Sequence, residues 1–255
     1  MPDSIRIDNV KKVFEGRKDA VHAVGPMSLE IAKGEFVSLL GPSGCGKSTI
    51  LMMVAGLIEA TEGRVFIDGN QVTGPQTNIG IVFQSPVLMD WRDVLGNVLL
   101  QVEMRKLDRE AYEAKATELL TSVGLKDFLH KRPYELSGGM QQRTAFCRAL
   151  LHDPPLVLMD EPLGALDAMT REQLRRDLER MWLETGKTFV FVTHDIEEAI
   201  QLSDRIVLIT PRPGKIDRII KIDLPRPRDL SVVTSPEFAR YVSSIKEVFM
   251  GYGVM

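Results

Sequence analysis

Short, almost continuously apolar runs recur along the chain and are separated by stretches with helical periodicity. A strand that is apolar on both faces must be covered on both faces, which is typical of parallel sheets with helices on either side. The alternation therefore predicts an α/β protein with a mainly parallel sheet. The apolar runs lie at residues 35–41, 78–84, 155–161, 187–195 and 204–210.

Helical patterns fill much of the remaining chain. Within residues 168–185, apolar side chains recur at intervals of three and four between arginines and glutamates. This spacing predicts a core-packing helix, in which Trp182 packs and binds no ligand. Between Gln84 and Pro154 the strand pattern disappears, and patterns such as residues 108–123, followed by Gly124, indicate amphipathic helices.

The remaining patterns complete the expected organisation. The first 34 residues and residues 63–72 alternate around glycine-containing turns, which predicts an antiparallel β layer beside the main sheet. Prolines after Leu224 indicate a linker, and residues 236–250 resemble a last helix. We expect a single domain, 1–255, with its core in 1–84 and 155–224, a helical insertion over 85–154, and a C-terminal linker and helix over 225–255.

Composition narrows the classes of partner. The 255 residues are 44% hydrophobic and 26% charged, enough to bury a core. With 32 basic and 35 acidic residues the chain has no basic excess, so we expect no nucleic-acid partner. Cys45 and Cys147 are too few for a disulfide framework, which favours a reducing cytoplasm. The sequence shows neither a secretory signal pattern nor an apolar run long enough to span a bilayer, so any membrane crossing would belong to a partner.

A glycine-rich stretch follows the first apolar run and precedes a helical pattern. It fits G-x-x-x-x-G-K-[ST], in which glycines let successive N–H groups face inward and the next helix adds the positive end of its dipole. Lys47 would supply charge to the β and γ phosphates, and the Ser48 hydroxyl would ligate Mg²⁺. The predicted phosphate site comprises Gly41, Pro42, Ser43, Gly44, Cys45, Gly46, Lys47, Ser48 and Thr49.

Two adjacent carboxylates end a later apolar strand. An Asp beside a P-loop magnesium ion is stabilised as the anion, and a neighbouring Glu can activate the water that attacks the γ phosphate. We therefore predict that Asp160 binds the metal and that Glu161 is the general base. A helix-capping acid pair ahead of Pro162 is the structural alternative.

Gln84 and His194 also end predicted strands. In a doubly wound sheet, the carboxyl ends of the strands form the ligand crevice. Gln84 would contact Mg²⁺ or the attacking water, and His194 would hydrogen-bond the γ phosphate. Each side chain alone would more often be structural, and the interpretation rests on their occurring together with the P-loop and the acid pair.

A second glycine cluster, LSGG at residues 136–139, precedes the helical stretch 144–151 and predicts another anion-binding helix N-terminus. With this cluster the chain resembles the nucleotide-binding subunit of ATP-binding cassette (ABC) transporters, from about Ile5 to beyond Arg228. The shared motifs, in family order, are the P-loop, Gln84, the signature at 136–139, Asp160-Glu161, the D-loop at 165–167 and His194.

The resemblance implies ATP and Mg²⁺ as cofactors and a head-to-tail homodimer that hydrolyses ATP. Ser137, Gly138 and Gly139 of one copy would close on the ATP held by the P-loop of the other, with Asp167 in the D-loop beside it. Phe14 matches the aromatic position that stacks on the base, with a plain core position as the alternative. The metal ligands would be Ser48, Gln84 and Asp160.

Segments 91–98, 161–167, 212–216 and 224–229 are similar to importer ATPases of the nitrate, sulfonate and taurine group. The likeness implies a peripheral position on the cytoplasmic face of the inner membrane, two integral-membrane permeases, an extracytoplasmic binding protein and import of an anion such as nitrate, a sulfonate or taurine. Residues 85–97 would pass the motion to a permease, unless they are buried. A soluble ABC ATPase of iron–sulfur cofactor assembly stays open as the alternative, whereas a P-loop kinase has no use for the LSGG cluster.

Overall fold

A computed structural model describes residues 3–16 and 19–253. The chain divides into two compact units, one formed by Met1–Thr77 with Leu178–Met255 and the other by Asn78–Asp177. We refer to them as the first and the second unit.

The first unit contains an antiparallel sheet with strand order β2-β1-β4-β5. Its strands are β1 (Asp3–Glu15), β2 (Ala20–Ala32), β4 (Glu62–Ile67) and β5 (Asn70–Gln71). Alternate residues of β2 are buried, as expected of a sheet with one solvated face. This sheet confirms the antiparallel layer predicted from the alternating patterns.

The first unit also contains the neighbouring strands β10-β9-β3-β8 of a second sheet. They are β3 (Phe36–Leu40), β8 (Thr188–Thr193), β9 (Arg205–Ile209) and β10 (Ile216–Lys221). Strand β3 is parallel to β8 and to β9, while β10 is antiparallel to β9. Every residue of β3 and β8 is buried, which explains their unbroken apolar sequences. Strand β10 was not predicted, because most of its side chains are exposed and charged residues interrupt the run.

The helices of the first unit are α1 (Lys47–Val54), α6 (Ile196–Leu202), α7 (Leu230–Val233) and α8 (Pro236–Gly251). Ser235 caps α8 by accepting a hydrogen bond from the Phe238 N–H at 3.2 Å. The buried face of α8, including Phe238, Ile245 and Phe249, joins a core cluster with Leu40. The predicted last helix is therefore confirmed. The short helix α7 and the buried Arg228 show that the proline-marked segment before α8 is anchored to this unit rather than an extended linker.

The second unit pairs strand β6 (Ile79–Val82) in parallel with β7 (Leu156–Asp160). Its helices are α2 (Val94–Met104), α3 (Arg109–Ser122), α4 (Gly138–Leu150) and the start of α5 (Ala168–Thr185), with short 3-10 turns at Lys126–Phe128 and Pro133–Glu135. Helices α2, α3 and α4 share one apolar cluster that includes Leu99, Leu120 and Cys147. Residues 85–154 are all described and contain no strand, as the patterns predicted.

Candidate functional site

The glycine-rich stretch forms a tight loop between β3 and α1. Gly44 and Gly46 have φ angles of +73° and +100°, which favour glycine. A Cβ at Gly46 would lie 2.6 Å from the Ala23 carbonyl oxygen, so glycine is also required sterically. Helix α1 begins directly after this loop, and the first turn of a helix presents N–H groups that lack intrahelical acceptors. The loop is therefore built to hold an anion at the start of α1.

Lys47 lies in the first turn of α1 and is 4% exposed. Its ammonium donates hydrogen bonds to the carbonyl oxygens of Gly41 at 2.8 Å and Pro42 at 3.0 Å, so it spans the loop. Ser43 and Ser48 are exposed, Pro42 and Thr49 are half-buried, and Cys45 is buried. Ser48 therefore lies at the surface of the loop, whereas the Cys45 thiol packs in its interior.

His194 follows a strand adjacent to the P-loop strand. Leu40 of β3 is the parallel partner of Thr193 of β8, so Gly41 and His194 are the first residues beyond the same edge of this sheet. His194 is exposed. The first unit therefore brings the P-loop and His194 to one strand edge, as the sequence predicted.

Gln84 and the acid pair follow the two parallel strands of the second unit. Val82 of β6 is the partner of Met159 of β7, so Gln84, Asp160 and Glu161 lie at one carboxyl edge. Gln84 is exposed, while Asp160 and Glu161 are half-buried. Glu161 has φ +43°, a left-handed conformation that is unfavourable for a glutamate and typical of functional positions. The geometry presents carboxylate and amide oxygens together, the ligand types that Mg²⁺ prefers.

The LSGG cluster forms the N-terminus of α4. The Ser137 hydroxyl caps this helix by accepting a hydrogen bond from the Met140 N–H at 3.3 Å. Ser137 and Gly138 are exposed, and a Cβ at Gly139 would overlap the Thr170 side chain. The helix therefore opens onto solvent with a hydroxyl and backbone N–H groups, as predicted for a second anion site.

Asp167 lies just before α5, and hydrogen bonds from the Thr170 hydroxyl and the Thr170 N–H lower the pKa of its carboxyl.

Phe14 lies on β1 and is 39% exposed, with the Lys12 ammonium 5.0 Å from its ring centroid. A ring this exposed does not fit a plain core position.

Two side chains that sequence reasoning missed hold the segment after Gln84. The Arg148 guanidinium, 8% exposed, donates to the carbonyl oxygens of Val87 at 2.7 Å and Pro86 at 2.8 Å. The Asn97 amide accepts from the Met89 N–H at 2.7 Å and donates to the Met89 carbonyl at 3.1 Å. The sequence did contain a sign of the Arg148 contacts. Arg148 stands within the largely apolar helical stretch 144–151, and a buried guanidinium needs hydrogen-bond acceptors.

The same contacts correct part of the expectation for residues 85–97. The stretch is not a loop throughout, because α2 begins at Val94 and Asp93 caps it through the Gly96 N–H at 2.7 Å. Within it, Trp91 is 73% exposed and Val87 is 50% exposed, while Leu88 and Met89 are half-buried. The segment therefore combines a fixed backbone with exposed apolar side chains.

Comparison with known proteins identifies the family. The family model described as ABC transporter matches residues 24–164. An uncharacterized ABC transporter ATP-binding protein of Methanocaldococcus jannaschii is 46% identical over 97% of this chain and 92% of its own length. A taurine import ATP-binding protein of Roseobacter denitrificans is 44% identical over 92% of this chain and 89% of its own length.

Among solved structures, a dimeric post-hydrolysis state of an ATP-binding cassette bound to ADP and phosphate matches with a TM-score of 0.75 and 34% identity. The match covers 86% of this chain and 98% of that chain. The fold and the site thus define a P-loop ATPase of the cassette type. The chain belongs to the ABC transporter family. No helix within the described part of the chain has the length and apolar composition to cross a membrane.

Proposed function

We propose that this chain is the ATP-hydrolysing subunit of an ABC importer. The observation that carries the proposal is that one chain presents two different glycine-lined helix N-termini, the P-loop at α1 and the LSGG cluster at α4. Each of these helix N-termini is suited to bind phosphate. One nucleotide would contact both kinds of site when two copies of the chain face each other, with the P-loop of one copy opposite the LSGG cluster of the other. The dimeric cassette with bound ADP and phosphate supports this arrangement.

ATP binds with its phosphates in the P-loop. When the nucleotide enters, the Lys47 ammonium exchanges the carbonyl oxygens of Gly41 and Pro42 for phosphate oxygens, which carry more charge. Phe14 stacks on the base. The residues of the loop, Gly41 to Thr49, hold the β and γ phosphates through backbone N–H groups and the exposed hydroxyls.

Mg²⁺ fits the oxygen donors of the site. Ser48 supplies a hydroxyl, Gln84 an amide oxygen and Asp160 a carboxylate, and Mg²⁺ takes few protein ligands because it keeps waters and phosphate oxygens. When bound, the ion neutralises charge that develops on the phosphates. These three side chains would hold it.

Glu161 acts as the general base by accepting a proton from the attacking water. His194 donates a hydrogen bond to the γ phosphate, and Gln84 orients the water. Binding of ATP closes the head-to-tail dimer because the γ phosphate contacts the P-loop of one copy and Ser137, Gly138 and Gly139 of the other, with Asp167 beside it. Hydrolysis removes that contact and reopens the dimer.

The motion is passed to two membrane permeases through residues 85–97, whose exposed Trp91 and Val87 are apolar groups of the kind buried in interfaces. The chain would lie on the cytoplasmic face of the inner membrane. The solute reaches the permeases from an extracytoplasmic binding protein. By analogy with the taurine importer subunit, the solute is taurine, another sulfonate or nitrate.

Site-specific cross-linking tests this assignment. Cys45 and Cys147 are buried, so a single introduced thiol is selective. We expect Trp91→Cys to cross-link to permeases in membranes of the native cell, and the exposed Glu118→Cys on α3 to give no such product. Capture of soluble assembly proteins instead, with no membrane-protein product from Trp91→Cys, would contradict the importer and favour a cofactor-assembly ATPase.

A further inference from the structure

A loop that the proposed mechanism does not use lies against the P-loop. It connects β9 to β10 over residues 210–215, and we call it the brace loop. The Gly214 N–H donates to the Ala23 carbonyl at 3.1 Å, and the Gly25 N–H donates to the Gly214 carbonyl at 2.8 Å. The brace loop is thereby fixed to β2 on both sides of Gly214.

Hydrogen bonds within the brace loop close it on itself. The Thr210 N–H donates to the Lys215 carbonyl at 2.9 Å, and the Lys215 N–H donates to the Thr210 hydroxyl at 3.0 Å. The chain between these residues has little freedom, because its ends are bonded to each other and Gly214 is bonded to β2. A side chain in the middle of the brace loop therefore extends from an ordered backbone.

The side chain in question is Arg212. Its Nε and Nη2 both donate to the Gly44 carbonyl oxygen, at 3.1 Å and 3.0 Å. The next carbonyl of the P-loop also faces the brace loop, since a Cβ at Gly214 would overlap the Cys45 carbonyl oxygen. Two successive P-loop carbonyls are therefore covered by one small loop.

Holding the Gly44 carbonyl also fixes an N–H group. In a planar trans peptide the C=O and the N–H point in opposite directions. With the Gly44 oxygen held by Arg212, the Cys45 N–H of the same peptide points to the interior of the P-loop, where it makes a long 3.4 Å hydrogen bond to the Pro42 carbonyl. A phosphate nest needs such inward N–H groups.

We propose that Arg212 is a positioning residue for nucleotide binding, which acts by fixing the Gly44–Cys45 peptide in its phosphate-binding orientation before ATP arrives. This rests on the proposed binding of ATP at the P-loop. A loop that is already ordered loses less conformational freedom on binding, so its affinity is higher. Without Arg212 the peptide would rotate, and ATP would have to order it.

The test uses the purified full chain as Arg212→Ala and Arg212→Lys, with Arg218→Ala as the matched control. Arg218 lies on β10 and pairs with Asp217 at 2.7 Å, so its removal deletes the same charge close in sequence without a P-loop contact. The first measurement is amide hydrogen exchange of residues 43–46 without nucleotide. We expect faster exchange in Arg212→Ala, an intermediate rate in Arg212→Lys, which keeps the charge but loses the two-donor fork, and an unchanged rate in Arg218→Ala.

The second measurement is the Kd for ATP together with KM and kcat. We expect Arg212→Ala to raise both Kd and KM about tenfold, as for loss of a hydrogen bond from a charged donor, with kcat at saturating ATP within about twofold. The defect should persist in about 0.5 M salt, because Arg212 donates directly to a neutral carbonyl oxygen, whereas an attraction between separated charges is largely screened at that ionic strength.

Several results would overturn the positioning role. One is unchanged hydrogen exchange at 43–46 in Arg212→Ala. Another is a Kd that is raised in Arg212→Ala but normal in Arg212→Lys, with the difference lost at high salt. That result would show that Arg212 acts only through the long-range attraction of its charge for ATP. A loss of kcat with unaltered KM would also contradict it. The exchange measurement involves neither ATP nor permeases, so failure of the importer assignment is seen separately, in the cross-linking result.

Discussion

The Thr193 hydroxyl donates a 2.7 Å hydrogen bond to the carboxylate of Glu198, and both residues are buried around the exposed His194. The Asp195 N–H donates to the Thr193 hydroxyl oxygen at 3.0 Å, and the Glu198 N–H donates to the Asp195 carboxylate at 2.9 Å. The residues on either side of His194 are therefore fixed to each other and to the first turn of α6. The backbone that carries the His194 imidazole is therefore rigid, although His194 itself is exposed to solvent.

We predict that this arrangement sets the rate of hydrolysis through His194. Thr193→Val keeps the shape of the side chain and removes the hydroxyl, so it should lower kcat about tenfold to a hundredfold, the cost of a misplaced catalytic group, and leave the Kd for ATP within about twofold. Glu198→Gln retains an acceptor and should lose less. Steady-state kinetics and equilibrium nucleotide binding measure the two effects.

Glu197→Gln is the control for this prediction, because Glu197 lies on the same turn and is exposed. Thr193→Val also removes one hydrogen bond from the buried Glu198 carboxylate, so the melting temperature must be followed. A kcat defect that merely tracks the loss of folded protein, or an equal defect in Glu197→Gln, would contradict a role through His194.

The sequence predicted the parts of the site that are local in the chain. The spacing from Gly41 to Ser48 identifies the P-loop, since the glycines and the lysine that define this motif fall within a few residues, and the apolar strand before Asp160 marks the acid pair. Arg212 was not predicted as a support of Gly44, because 168 residues separate them and only the fold shows their contact. Long-range hydrogen bonds by exposed side chains leave no periodic signal in one sequence.

The half-buried Glu161 gives a second prediction. Glu161→Gln keeps the size of the side chain and removes the proton acceptor, so hydrolysis should fall by about a hundredfold or more while ATP still binds. Phosphate release and nucleotide binding are the measurements. Glu172→Gln, on α5 in an ion pair with Arg175 at 2.7 Å, is the control and should hydrolyse ATP normally. Unaltered turnover in Glu161→Gln would refute the general-base assignment.

Ser137 tests the second anion site. Loss of the Ser137 cap of α4 should cost about 1 kcal/mol of stability, and loss of the proposed contact to the nucleotide of the other copy should abolish ATP-dependent dimers. We expect Glu161→Gln to dimerise with ATP in light scattering, and Glu161→Gln with Ser137→Ala to stay monomeric while it binds ATP. Ser122→Ala, an exposed serine in the same unit, should have no effect. Full hydrolysis by strictly monomeric Ser137→Ala protein would contradict the shared site.

His152 makes the stability of the second unit depend on pH. Burial and the nearby Arg105 lower the pKa of His152 to about 4, whereas the unfolded chain has a value of about 6.5. Below about pH 6.5 the unfolded state binds the proton more readily, so stability is lost between about pH 6.5 and pH 4. Because solvent screens part of the ring, we expect a loss of about 1–2 kcal/mol.

Denaturant unfolding between pH 7 and pH 4.5 measures this loss. His152→Gln should flatten the dependence, and His22→Gln, an exposed histidine of the first unit, should leave it as in the wild type. Identical pH profiles for His152→Gln and the wild type would show that another group is responsible.

Arg228 is the largest fully buried side chain of the first unit, and it holds the segment before α8 in place. Its Nη1 donates to the carbonyls of Ile200 at 2.7 Å and Ser203 at 2.6 Å, and its backbone N–H donates to the Glu179 carboxylate at 3.0 Å. Burial and the neighbouring Arg226 lower the pKa of Arg228 to about 10, so it remains charged at neutral pH.

Replacing this side chain by an apolar one leaves those carbonyl oxygens without their donor, whereas the Glu179 carboxylate keeps the backbone N–H of residue 228 and its ion pair with Arg226 at 2.9 Å. We predict that Arg228→Met lowers the free energy of unfolding by about 3 kcal/mol, because buried carbonyl oxygens lose their donor, and that limited proteolysis then removes α8 first. Arg240→Met, an exposed arginine of α8, is the matched control and should change stability by less than about 0.5 kcal/mol. An Arg228→Met variant as stable as Arg240→Met, with α8 still protected, would show that apolar packing of α8 alone holds the C-terminal segment.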